Sequence, residues 1–201
     1  MLSLSLLKRC KVTTALLVCS VIVALISGIG SRFDAVLPFL ISAYLSPVLP
    51  EVLSGEAWRL ITPIFVHFGV MHLLFNSMMT FQLGSLLEPQ MGILRFSFLI
   101  LILAISSNLA QYFATGPSFG GLSGVLYGLF GYFWMASRFN PTFDMRINPS
   151  AVKMLMGWFV LCWFNFFGLL GNIAIANIAH TMGLAMGMIS AIFVAKVLIT
   201  R

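Results

Sequence analysis

Six apolar runs, at roughly 12–30, 65–87, 93–113, 123–138, 151–170 and 175–198, divide the chain between them. Several approach the ~20 residues that a helix needs to cross a bilayer. As helices they satisfy their own backbone N–H and C=O groups, which hydrocarbon cannot do. The expected fold class is therefore all-α, a polytopic membrane protein with six transmembrane helices in one membrane domain, 1–201. Composition agrees: 60% of the residues are hydrophobic and 8% charged, with mean hydropathy +1.05, a surface that water could not solvate in a soluble domain.

A net charge of +6 would point a soluble protein toward nucleic acid, but here the placement of the charges speaks to topology. With the N-terminus in the cytoplasm, Lys8, Arg9, Lys11, Arg95, Arg138, Arg146, Lys153, Lys196 and Arg201 fall inside, nine of eleven basic residues. Arg32 and Arg59 fall outside with Asp34, Glu51 and Glu56. The positive-inside rule then places both termini in the cytoplasm. The start, Lys8-Arg9-Cys10-Lys11, resembles a signal peptide, but the run behind it is long and lacks a small-x-small cleavage site. It reads as an uncleaved first span. Cys10, Cys19 and Cys162 have no metal-ligand spacing and read as small packing residues without a disulfide.

The segment from Ser31 to about Ile64 is long for a connection and too apolar for disorder, with Phe33, Phe39, Tyr44 and Trp58 spread through it. It is expected to be a folded loop in the outer interface, anchored by Trp58 and Arg59, and not an unstructured linker. The other connections are short: Asn140 to Pro149 inside, Gly168 to Asn172 outside.

The chemistry is suggested by Gly120-Gly121-Leu122-Ser123-Gly124-Val125-Leu126-Tyr127-Gly128. A helix from Ser123 to Ser137 would be about 22 Å long, shorter than the roughly 30 Å hydrocarbon core. One end must then lie below the membrane surface, and the serine is at an end. Spans two, four and six run in the same direction, so their first turns share a leaflet. His72 and Asn76 open span two, Ser123 span four, and Asn177 and His180 span six. Polar side chains at membrane depth are costly and mark functional sites by default. Gly124, Gly128 and Gly131 on span four, with Gly183 and Gly187 on span six, let the two backbones approach closely. Ser123 and His180 would then be nucleophile and general base within hydrogen-bond reach. Alone, Ser123 reads as well as one more small packing residue; His180 changes that. No carboxylate shares this depth, so the expected unit is a dyad. Tyr127, one turn after Ser123, can support the imidazole by stacking. His72 and Asn76 share a face and can donate to a developing oxyanion, together with the Ser123 N–H. A metal site built on His67, His72 and His180 lacks ligand spacing and an accompanying acid, so none is expected; His67 reads as a loop-packing residue.

These residues are familiar as a set. Glu56-Ala57-Trp58-Arg59, His72-Leu73-Leu74-Phe75-Asn76, Gly84-x-x-x-Glu88-x-x-x-Gly92, Gly121-Leu122-Ser123-Gly124 and Ala179-His180-x-x-Gly183, in that order, resemble the rhomboid intramembrane serine proteases, in particular the bacterial GlpG-like branch. The resemblance runs from about Trp58 to Gly187. It implies a six-helix bundle with a water-filled cavity open to the outside, in a bacterial inner membrane. It implies Ser123 as nucleophile and His180 as base. It implies an oxyanion hole of His72, Asn76 and the N–H groups of Leu122 and Ser123, with Tyr127 beneath the histidine. Trp58-Arg59 would stabilise the first loop and Glu88 would tie helix ends on the cytoplasmic side. The implied substrates are transmembrane proteins in the bilayer, cut after small residues without metal, cofactor or ATP. In place of the soluble domain that some members carry before the first span there is a short tail, which is expected to leave activity intact. Ile178 stands where small residues are frequent and would narrow the cavity.

Three other readings compete. A catalytically silent rhomboid-like protein would bind membrane proteins without cutting, against which the intact Ser123 and His180 pair weighs. A transporter would show an internal repeat or a polar row across the whole bilayer, and neither is present in the sequence. An α/β-hydrolase elbow needs a strand before the serine, which Gly-Pro-Ser-Phe-Gly-Gly cannot supply.

Overall fold

The computed structural model describes residues 9–140, 143, 145, 148–164 and 175–199. Within them the regular structure is helical throughout. Six long helices carry the fold: α1 (Lys11–Ile26), α2 (Val70–Met91), α3 (Ile93–Thr115), α4 (Ser123–Phe139), α5 (Pro149–Trp163) and α6 (Asn177–Ile199). Three of them, α2, α3 and the Asn177–Lys196 stretch of α6, are long and apolar enough to cross a membrane. The expected outer turn at 168–172 and the last part of span five lie outside the described residues.

Two boundaries differ from the hydropathy reading, for the same reason. Apolar character continues where the backbone cannot stay helical. The first span was expected to reach Gly30, but α1 stops at Ile26, and Gly28, Ile29 and Gly30 follow with φ of 56°, 57° and 80°. The second was expected from residue 65, yet α2 begins at Val70. Thr62–Phe65 is a single 3-10 turn with Pro63 at its start, and Gly69 has φ 119°. The helix then continues past 87 to Met91, where Gly92 at φ 75° ends it and turns the chain into α3.

The loop between α1 and α2 is folded. The Arg59 guanidinium donates to the carbonyls of Leu37 (2.8 Å) and Leu40 (2.9 Å) and pairs with Glu56. The Glu51 carboxylate accepts from Ser42 Oγ (2.8 Å) and the Ala43 N–H (2.9 Å). Two side chains of α3 reach up to hold it. Asn108 Nδ2 donates to the Leu60 carbonyl at 2.9 Å, and Tyr112 Oη accepts the Ser46 N–H at 2.6 Å. Trp58 is 54% exposed, on the outside of this bracing.

At the opposite end, buried Glu88 of α2 accepts from the N–H groups of Val12 and Thr13 (both 2.8 Å) and from Thr13 Oγ (2.7 Å). It thus supplies partners for the first-turn N–H groups of α1, whose own cap residue Cys10 provides none.

Helix α4 is the axis of the bundle, buried without interruption from Gly124 to Phe133. Its 17 residues span about 26 Å, less than the hydrocarbon thickness of ~30 Å. Against it lies α6 at backbone contact. A β-carbon at Gly183 would run into the Gly124 carbonyl, and one at Gly187 into that of Gly128. Gly157 of α5, by contrast, faces open space. Gly187→Ala is therefore expected to lower the melting temperature in detergent, by overpacking worth about 1–3 kcal/mol. Gly157→Ala is expected to leave it unchanged or raise it, since alanine favours a helix by roughly 0.5–1 kcal/mol over glycine. Equal effects of the two would contradict this packing.

Candidate active site

The first turns of α2, α4 and α6 meet at the end of the bundle that carries the long loop. Ser123 is the first helical residue of α4. The turn before it depends on Gly121, whose φ of 121° a side chain rarely adopts. A β-carbon there would lie 2.8 Å from His72 Nε2 and 3.6 Å from Asn76 Nδ2. The same observation locates both α2 side chains: their nitrogens face the turn that carries the serine.

Across the glycine contact between α4 and α6, His180 Nε2 lies 2.8 Å from Ser123 Oγ. His180 is buried. Among the described residues nothing hydrogen-bonds to its Nδ1, so packing orients the ring. Tyr127 lies with its ring centroid 4.9 Å from that of His180 at 43°, a tilted contact. Tyr127 is itself fixed by donating Oη–H to the Leu155 carbonyl of α5 (3.2 Å) and by an edge contact with Phe159 at 5.3 Å.

The Leu122 N–H, expected in the oxyanion hole, donates to His67 Nε2 at 3.4 Å in this structure. The side-chain nitrogens beside the turn are those of His72 and Asn76. Asn177, expected near the dyad, instead donates Nδ2 to the Cys162 carbonyl at 3.0 Å, and Trp163 Nε1 donates to Thr181 Oγ at 3.2 Å. Together these tie the end of α5 to the start of α6. Trp58, Arg59 and Glu88 lie away from the site, in the loop and at the far end of α2. Among the described residues, no three His, Cys, Asp or Glu side chains converge as metal ligands.

One contributor was missed from sequence. Gln111 of α3 accepts the Ala179 N–H through Oε1 at 2.9 Å, while its Nε2 donates to Thr115 Oγ at 2.7 Å. Ala179 is in the first turn of α6, so Gln111 caps an otherwise unpartnered N–H beside His180. The signal was available: Asn108, Gln111 and Tyr112 are three and four residues apart, a polar face within an apolar span.

The sequence is similar to that of known proteins. A sequence profile described as the Rhomboid domain matches residues 54–197. The rhomboid protease GlpG of Salmonella paratyphi A is 34% identical over 173 residues, covering 86% of this chain and 59% of that protein. The rhomboid protease GlpG of Klebsiella pneumoniae is 38% identical over 136 residues, covering 68% of this chain and 48% of that protein. The chain thus spans between 48 and 59% of the length of these relatives. Its apolar helices make it a multi-pass membrane protein. On this match, which takes in Ser123, His180 and the helices that hold them, the chain belongs to the rhomboid family.

Proposed function

We propose that this chain is an intramembrane serine endopeptidase that hydrolyses peptide bonds in or beside transmembrane segments of other membrane proteins. The observation that carries the reading is the 2.8 Å pair of Ser123 Oγ and His180 Nε2 at the recessed start of a buried helix. A serine and a neutral imidazole at that distance are a nucleophile with its base.

In the mechanism, Ser123 Oγ attacks the scissile carbonyl as His180 Nε2 takes its proton. The tetrahedral oxyanion is met by the Ser123 N–H, Asn76 Nδ2 and His72. His180 then protonates the leaving amine. Water attacks the acyl-enzyme with His180 again as base, which restores Ser123. These steps use groups of the chain itself and water. Tyr127 keeps the imidazole in its plane during both transfers, and Arg59 keeps the long loop folded. Phe75 of α2 stacks on Trp158 of α5 with centroids 5.0 Å apart, which makes the seam between these helices the proposed side of substrate access. A substrate helix must unwind locally to present its carbonyl, since a helical carbonyl is engaged by its own N–H four residues on.

The charge distribution supports cytoplasmic termini, with the dyad opening to the extracytoplasmic face of a bacterial inner membrane. A reporter fused after residue 201 tests this: a fluorescent protein is expected to be bright and alkaline phosphatase silent, and the reverse pattern would invert the topology.

Purified wild-type protein in detergent is expected to react with a fluorophosphonate probe and to cut a model transmembrane substrate. Ser123→Ala and His180→Ala should abolish both. Asn76→Ala should lower kcat about 100- to 1,000-fold, the usual effect of removing one oxyanion donor. A folded wild type that neither labels nor cuts would leave a protein that binds membrane-protein clients without cleaving them.

A further inference from the structure

Two consecutive N–H groups of the turn leading into α4 are taken up by one neighbouring segment. Gly121 donates to the Pro63 carbonyl at 3.0 Å, and Leu122 donates to His67 Nε2 at 3.4 Å. Gly120 is pressed against the same segment: a β-carbon there would lie 2.8 Å from Val66 Cβ and 3.1 Å from the Pro63 carbonyl. The 63–67 stretch is therefore the bed on which the serine's turn rests, and one of its two hydrogen bonds comes from a side chain.

That side chain is fully enclosed, with His67 at 0% exposure. Its Nδ1 lies 3.1 Å from the Phe65 carbonyl. A carbonyl at Nδ1 and an N–H at Nε2 are satisfied together by one form of imidazole, the neutral Nδ1–H tautomer. Burial, with His72 alongside, holds the His67 pKa down to about 4, in keeping with a neutral ring. The ring also meets His72 edge-on, with centroids 5.0 Å apart. His67 thus touches both the turn that presents Ser123 and one of the side chains that face the oxyanion position.

We propose that His67 is a positioning residue for peptide hydrolysis: its Nε2 lone pair holds the Leu122 N–H, and with it the Gly121–Leu122 peptide, and so fixes the turn from which Ser123 Oγ and the Ser123 N–H are presented to one substrate carbonyl. The inference deepens the reading of Ser123 as nucleophile and rests on it. Loss of the acceptor leaves the Leu122 N–H buried without a partner and frees the peptide to rotate. Rotation moves the Ser123 N–H away from the oxyanion while leaving the Ser123–His180 pair formed.

The test compares His67→Phe, which fills the space without an acceptor, with His67→Gln, which restores an acceptor at the same reach. Fluorophosphonate labelling rate, kcat and KM on a model transmembrane substrate, and melting temperature are measured together. His67→Phe is expected to slow labelling and kcat about 100-fold, the effect of misplacing reacting groups by about an ångström. KM and melting temperature should change little, and His67→Gln should recover most of the lost rate. Should His67→Phe fail to fold, His67→Met takes its place; failure of both to fold overturns the proposal in favour of a folding role. Wild-type rates in both variants, equal losses in both, or losses that track melting temperature overturn it as well.

A second readout does not depend on activity. The chain has three histidines, so the imidazole ¹⁵N resonances lost in His67→Gln belong to His67. They should show the neutral Nδ1–H tautomer; an Nε2–H tautomer or an imidazolium at neutral pH overturns the proposal. A wild type that labels while the His67 variants are indifferent defeats this inference alone. A folded wild type that neither labels nor cuts defeats the nucleophile reading and this one with it.

Discussion

The contact of α4 with α6, glycine against backbone at Gly124–Gly183 and Gly128–Gly187, is the constraint from which the rest of the site follows. Between helices with ordinary side chains the axes stand about 8–10 Å apart. At that separation a serine and a histidine in the first turns of neighbouring helices need not meet. Removing the β-carbons at the contact closes the gap, and the Ser123–His180 pair forms at 2.8 Å. In a membrane this contact gains nothing from excluding water, because lipid is as apolar as the helix face. Close packing must supply the attraction, and small residues permit it.

A second constraint is that polar groups enclosed in such a bundle need partners from within it. The structure meets this at several places by a similar device, in which a side chain of one helix satisfies backbone groups of another element. Glu88 does so for the start of α1, Gln111 for the start of α6, and Asn108 and Tyr112 for the long loop. His67, in the connection just before α2, does the same for the turn before α4. Each bond fixes a helix end or a loop in register, and two of them, from Gln111 and His67, lie beside the dyad. Among the described residues nothing hydrogen-bonds to His180 Nδ1, so beyond its bond to Ser123 the imidazole relies on packing and on that bracing for its orientation.

The dyad was legible in sequence because two facts about it are one-dimensional. Span parity places the starts of the second, fourth and sixth spans in one leaflet, and glycine spacing marks the faces that approach. Helix ends were less legible. Residues 65–69 are mostly apolar, yet the backbone at Gly69 and the 3-10 turn at Pro63 keep them out of α2. Hydropathy reports how a segment partitions and says little about φ and ψ. The hydrogen-bond partners of Leu122, Asn177 and His67 were not legible for another reason. Which atom a polar group meets depends on rotation about helix axes and on loop paths. In a helix apolar on all sides, no periodicity in the sequence reports that rotation.

By itself, then, the sequence determined that the chain is a helical membrane protein, how many spans to expect, that the starts of its second, fourth and sixth spans carry polar residues, and the pair Ser123 and His180 as the one worth bringing together. These follow from partition free energy and chain direction, which are properties of segments taken in order. Tertiary structure alone decided that α4 would be the buried axis, that the Leu122 N–H would go to His67, that Gln111 would cap α6, and that Asn177 would turn to α5. Those are choices among hydrogen-bond partners of similar strength. They are settled by distances of a few tenths of an ångström, which exist only once the helices have packed.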